Sequence, residues 1–390
     1  MWCRQDLWKL VAGAGVAVGL AAVSTGAGIP GAGTAGASLP ATIHLYSIQD
    51  DTGSGGFVGL LDQKGIDLAV KQINRSHLLG QAKLSISFAD DASTPTQAAN
   101  LATQAATAHY AAVIGPPISP TAVAVAPILS RANVPTVFTQ AGGPGTLLNN
   151  YMFRLTPLQT SAVPSAYKWL QSKHVKTVAD IYDSTYPTLA DLGKKAQADG
   201  PKYGFKVTNM TAVLATQSDI SSAVTKVLSS HPDAIDLDLA GTQNATAATE
   251  IKQGGFTGPI ICEDGCGAGS LNGAGAAANG IVWASDWTAG APFGPVSDTF
   301  TKQYKAAYAA TPYNFAAEAY TTTYFIARAL KAAGTTTAAK VDQAMIAEGK
   351  KGYEGVLGQH VTVVKGQMEA APVLVQWQNG KAVAMANQNP

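Results

Sequence analysis

The residues able to do covalent chemistry are few and scattered. Six histidines, at 44, 77, 109, 174, 231 and 360, never come within metal-ligand spacing of one another or of an acid cluster. As general bases each stands alone, so a surface or interdomain position is the plainer reading of each. No G-x-S-x-G elbow, Walker loop or H-E-x-x-H pair occurs. A literal G-x-G-x-x-G at Gly26, Gly28 and Gly31 follows no strand and is discarded as a nucleotide fingerprint. The sequence therefore points away from an enzyme, with no cofactor and no metal expected.

Binding chemistry is better represented. Cys262 and Cys266 flank Glu263, Asp264 and Gly265. In an oxidising compartment so close a pair can close a small ring if the Cα atoms approach within about 7 Å, and a disulfide is the expectation. A zinc site would need two more ligands, with His231 and His360 remote in sequence, and two free thiols would follow if the loop were extended. Asp264, held between the two cysteines, is a candidate partner for an ammonium group. Ser119 and Thr121 stand where a helix is expected to start, a place where hydroxyls and backbone N–H groups suit a carboxylate; Ser119 could equally be only the helix cap. The loop Thr139-Gln140-Ala141-Gly142-Gly143 offers close backbone approach, or is simply a turn. Asp236 and Asp238 alternate with Ile235, Leu237 and Leu239, which implies either a partly wet sheet face or an acid reaching an interdomain cleft, the former being favoured.

The elements that must position these residues alternate regularly. Strands are expected over 43–48, 84–89, 111–114 and 136–138, separated by helices over 58–74, 96–108 and 121–132. A second series begins after Pro157, with helices over 161–172, 188–203, 220–230 and 245–254 and strands over 177–181, 205–212, 234–239 and 259–261. Such alternation implies right-handed crossovers and parallel sheets covered on both faces, hence two doubly wound α/β lobes. Helices over 296–309, 315–333 and 338–348 come with too few strands for a third sheet, so they return to the first lobe. A single strand over 372–377 could complete either sheet.

Composition agrees with a globular binder. The 390 residues are 46% hydrophobic and 13% charged, enough apolar material for a large core, and the length asks for two domains. The formal net charge of +1 offers no basic surface for nucleic acid. Residues 1–37 read as a secretory signal: Arg4 and Lys9, an apolar run over 10–23 too short for a span, then small residues ending Ala35-Gly36-Ala37. An uncleaved anchor is the alternative. Removing Arg4, Asp6 and Lys9 with it leaves a near-neutral mature chain. Cys3 precedes the apolar run, so it is not placed to be a lipidated first residue.

The run Thr52-Gly53, Gly59, Gly65, Leu68-Ala69 and Ile73-Asn74, with Asp90-Asp91, Pro95, Ile114-Gly115-Pro116, Val134-Pro135, Tyr186, Asp219, Pro232-Asp233-Ala234-Ile235, Gly255 and Tyr320, resembles the type I periplasmic binding proteins. The branched-chain amino-acid binders of ABC importers are the group it resembles most. The resemblance implies two lobes joined by three crossover strands: 41–157 plus 286–365 in lobe 1 and 158–285 plus 366–390 in lobe 2. It implies a ligand site at Phe57, Ser119, Thr121, Ala141, Gly142, Tyr186 and Asp264. Ser119 with the backbone at Ala141 and Gly142 would hold a carboxylate, Asp264 an ammonium, and Tyr186 would close over the ligand. Gln49-Asp50-Asp51 stands where that group is commonly apolar. The function implied is an exported, monomeric solute-binding protein that takes a small polar ligand, an amino acid or related zwitterion, to a membrane ABC permease. The alternatives are a ligand sensor docking to a signalling receptor, or a binder of an amide, urea or small organic acid; a secreted hydrolase is disfavoured by the missing nucleophile motif.

Overall fold

The computed structural model describes residues 38–385, so the expected signal segment lies outside the described residues. No described helix is long and apolar enough to cross a membrane.

The chain opens with β1 (Thr42–Gln49), α1 (Gly56–Arg75), β2 (Lys83–Asp90), α2 (Pro95–Thr107), β3 (Ala112–Ile114), α3 (Ser119–Arg131), β4 (Thr136–Phe138) and β5 (Met152–Arg154). It continues through α4 (Gln159–Ala162), α5 (Pro164–Ser172), β6 (Thr177–Asp183), α6 (Pro187–Asp199), β7 (Lys206–Val213), α7 (Ser221–Leu228), β8 (Ala234–Asp238), α8 (Gln243–Gln253), β9 (Ile260–Cys262) and β10 (Val282–Ser285). It ends with α9 (Pro295–Tyr308), α10 (Asn314–Ala333), α11 (Ala338–Lys351), β11 (Tyr353–Gly355), β12 (Gly358–Val364), β13 (Gln367–Glu369), β14 (Val373–Gln378) and β15 (Lys381–Ala384).

Two sheets result, ordered β11-β12-β13-β5-β4-β3-β1-β2 and β15-β14-β10-β9-β8-β6-β7. Their central strands are parallel, as helical crossovers require; at one edge of each sheet, β11–β12, β12–β13 and β14–β15 are antiparallel hairpins, and β10–β14 is an antiparallel pair between distant segments. The chain changes sheet between Arg154 and Gln159, between Ser285 and Pro295, and between Glu369 and Val373. The last change comes after the residue 366 expected from sequence, because Gln367 pairs with Arg154 and holds β13 in the first sheet.

Lobe 1 is built around the packing of α1 on α10. Gly65 makes it possible: a Cβ there would run into the backbone of Ala316. The aromatic residues Trp287, Phe300, Tyr304 and Tyr320 fill the space beside this contact, ring against ring at 4.7–5.7 Å. In lobe 2, Trp283 and Trp377 are almost wholly buried with Ile235, Leu237 and Ile251. Each such side chain contributes about 1.5–3 kcal/mol by leaving water.

The sheet face carrying Asp236 and Asp238 is dry, contrary to the wet face expected: both acids are buried, and so is Asp180 on the neighbouring β6. Gly193 of α6 lies so close that a Cβ would strike the Asp180 carboxylate. Burial, reinforced for Asp180 and Asp238 by the other carboxyls, pushes all three up, Asp236 to about 7.

Candidate functional site

The carboxyl ends of the parallel strands of both sheets converge on one cleft, the place where open α/β sheets hold ligands. A cavity of about 80 Å³ lies in it. Lobe 1 contributes Phe57 and Val58 from the start of α1, Ser119 from the start of α3, Gln140 after β4 and Phe315 from α10. Lobe 2 contributes Tyr186 and Leu189 at the start of α6, Leu239 after β8, and Glu263 after β9. The walls are mostly apolar, and their polar side chains are Ser119 and Gln140 from lobe 1 and Gln159, Tyr186, Thr188 and Glu263 from lobe 2.

The lobes are closed on each other. Tyr186 Oη donates to Ser54 Oγ at 2.8 Å, and Asn314 Nδ2 of α10 donates to Asp264 Oδ2 at 3.0 Å. The Phe57 ring fits against Gly241, where a Cβ would sit 3.3 Å from it and where φ is +55°.

Among the residues expected from sequence, Phe57, Ser119 and Tyr186 line the cavity. Ser119 Oγ accepts from Gly143 N at 3.0 Å, so its own O–H is left to donate. Thr121 lies behind the wall, fully buried, its hydroxyl donating to Ile118 O at 3.1 Å. Ala141 is in the lobe 1 core and does not line the cavity. Gly142 lines an adjoining chamber instead.

Asp264 is also off the cavity. Its side chain turns into the hinge, where one oxygen each of Asp264, Asp286 and Glu318 lie within 4.8 Å of one another. Burial first, then mutual repulsion, pushes Asp264 and Glu318 well above the carboxylate range, and burial raises Asp286 to about 7. Glu263, one residue earlier, takes the cavity position. It directly follows β9, whose direction delivers it to the cleft, while Asp264 begins a short 3₁₀ turn that swings away. Glu263 Oε2 caps that turn, accepting from Gly265 N at 2.5 Å. Burial raises the carboxyl to about 7 against the lowering effect of this bond and of Gln159 and Asn244.

Cys262 and Cys266 face each other sulfur to sulfur with Cα atoms 6.4 Å apart, within the span of a disulfide, and thus bracket the turn that holds Glu263. A carboxylate oxygen of Glu263 lies within 4.8 Å of both sulfurs.

The Gln49-Asp50-Asp51 segment puts Asp50 under the start of α3, where Asp50 Oδ2 accepts from Ile118 N at 3.4 Å. It is fully buried beside Asp91, and burial with that neighbour raises it to about 9.

Residues 42–382 match the family model described as periplasmic binding protein. No curated protein matches the chain in sequence. Among solved structures, the leucine-binding protein LivK of Thermotoga maritima MSB8 superposes with a TM-score of 0.80 at 22% identity, over 88% of this chain and 98% of that one. The branched-chain amino-acid substrate-binding protein LivJ of Streptococcus pneumoniae, solved with isoleucine, gives 0.76 at 22% identity, over 88% and 98%. An ABC-transporter solute-binding protein of R. palustris, solved with benzoate, gives 0.81 at 18% identity, over 90% and 97%. With two doubly wound lobes, three crossovers and a cleft between them, the chain belongs to the type I periplasmic binding protein family, a family of solute-binding proteins of ABC transporters.

Proposed function

We propose that the protein is an exported, monomeric solute-binding component of an ABC importer, and that its ligand is an amino acid whose side chain is apolar where it meets the cavity. One observation carries the ligand class: Glu263, 8% exposed, presents a carboxyl to a cavity otherwise walled largely by apolar groups. Its oxygens accept from Gly265 N and Asn244 Nδ2, but it takes part in none of the ion pairs among the described residues, and a ligand ammonium would supply the counter-charge as a charge-assisted hydrogen bond. Across the cavity, the free O–H of Ser119 at the first turn of α3 suits the ligand carboxylate. Phe57, Leu189, Leu239 and Phe315 suit an apolar side chain.

The work of such a site is binding energy spent on holding the lobes closed. Glu263 moves with lobe 2 and Ser119 with lobe 1, so a zwitterion touching both favours the closed form; delivery then requires a membrane permease that recognises it.

The structural neighbours include an isoleucine complex and a benzoate complex. An aromatic acid is the second reading, because Glu263 raised to about 7 could stay protonated beside a ligand without an ammonium. A thermal-shift comparison of leucine, isoleucine, norleucine and benzoate separates them. A ligand at 100-fold its Kd should stabilise by about 2.7 kcal/mol. Stabilisation by amino acids and not by benzoate is expected; stabilisation by benzoate alone overturns the zwitterion reading.

A further inference from the structure

Beside the cleft cavity lies a chamber of about 310 Å³ that shares the walls Gln140, Gln159 and Thr188 with it. The chamber is the roomier of the two, at about 310 Å³ against about 80 Å³ for the cavity, so a longer ligand would find room there. Arg154, at the end of β5, forms part of its lining and is 5% exposed.

This arginine is unusual in its company. Its hydrogen-bond acceptors are all neutral: Gln367 Oε1 at 3.0 Å, Thr146 Oγ1 at 2.6 Å and Gly143 O at 3.5 Å. It takes part in none of the ion pairs among the described residues, and its Nε has no partner. A guanidinium cannot shed its charge at working pH, so burying it without an anion is costly. Desolvation alone lowers it to about 10, the direction expected of a cation lacking a counter-charge. Asp191 is the acid on the chamber wall, and it is paired with Lys194 at 2.8 Å. Gln140 Nε2, on the wall shared with the cavity, is a second buried donor without a partner.

Gly143 separates this site from the first anion position. Its N–H faces Ser119, and its carbonyl faces Arg154. We infer that the chamber is a second anion subsite, in which Arg154 receives a carboxylate at the far end of the ligand, so that the preferred ligands are amino acids with a second, distal acid group. The inference deepens the proposed function and rests on it.

Isothermal titration of the mature chain with L-2-aminoadipate, L-norleucine and L-leucine tests it; the first two share a six-carbon chain and differ in the terminal group. The expected result is that 2-aminoadipate binds at least about tenfold tighter than norleucine, from one additional charge-assisted contact. In Arg154→Gln that ratio should collapse toward one, and Arg154→Lys should recover part of it. The wild-type ratio decides the matter even if the variants fail to fold. Leucine or norleucine binding as tightly as 2-aminoadipate, or tighter, overturns the subsite and leaves the amino-acid reading standing. No binding by any of the three overturns both.

Discussion

Tyr186 Oη and Ser54 Oγ, 2.8 Å apart, belong to opposite lobes and meet across the mouth of the cleft. Ser54 precedes α1 and Tyr186 precedes α6, so each hydroxyl sits on a helix start that moves as a body with its own sheet. The bond exists only when the lobes are closed. Tyr186→Phe keeps the ring in the cavity wall and removes the bond, so it should weaken ligand binding by about 0.5–1.5 kcal/mol, the range of one neutral hydrogen bond. Titration calorimetry reads the loss. Small-angle scattering should still show wild-type protein contracting with ligand, and an unchanged radius of gyration at saturation would contradict hinge closure.

The buried carboxyls predict an inverted pH profile. Burial raises Asp91 to about 6, Glu263, Asp236 and Asp286 to about 7, and Asp50 to about 9, against about 4 in the unfolded chain. The native state therefore holds more protons than the unfolded state, and its stability falls as pH rises from about 4 toward 7, continuing toward 9 through Asp50. Each titrating group contributes up to about 1.4 kcal/mol per pH unit. Urea melts of the ligand-free protein should give greater stability at pH 5 than at pH 8. Ligand-induced stabilisation should run the other way, growing between pH 5 and 8 as Glu263 ionises to meet an ammonium. A ligand-free protein more stable at pH 8 would contradict this account of the buried acids.

Unfolded, unreduced protein from an oxidising compartment should show no free thiol at Cys262 or Cys266. Replacing both by Ser should weaken ligand binding more than it lowers stability. So short a ring removes little chain entropy from the unfolded state, whereas it holds the turn that carries Glu263. Two titratable thiols would refute the bridge.

Gly65→Ala should cost about 1–3 kcal/mol or more in denaturant unfolding, because the added methyl meets the Ala316 backbone and must push α1 off α10. A neutral effect would mean that the helices part without cost.

The fold was legible because its signal is long-range and repeated. Strand-helix alternation over two series, with the glycines and prolines of the first loops, specifies parallel sheets whatever the fine boundaries. The strands β5, β10, β11, β12, β13 and β15 are not legible, because none stands in the strand–helix alternation that marks even the three-residue β3, β4 and β9. As residues lining the cavity, Phe57, Ser119 and Tyr186 are legible in sequence because each sits at or near a helix start after a strand. Sequence points to Asp264, whereas its neighbour Glu263 is the one that lines the cavity. The available clue was that Glu263 immediately follows β9, while residues 264–268 form a 3₁₀ turn whose direction no local pattern reveals. The buried acids Asp62, Asp286 and Glu318 carried no such clue, since their burial depends on contacts between distant segments. Arg154 was invisible for the same reason: its neighbours Thr146, Gly143 and Gln367 come from loops and from a strand 213 positions away.

Isothermal titration of leucine into wild type, Glu263→Gln and Asp264→Asn tests the central claim most directly. If Glu263 holds the ligand ammonium, Glu263→Gln should lose about 2–5 kcal/mol of affinity at pH 8, as when one partner of a buried charge pair is removed, and Asp264→Asn should lose less. Wild-type affinity in Glu263→Gln, with the loss falling on Asp264→Asn instead, would contradict it.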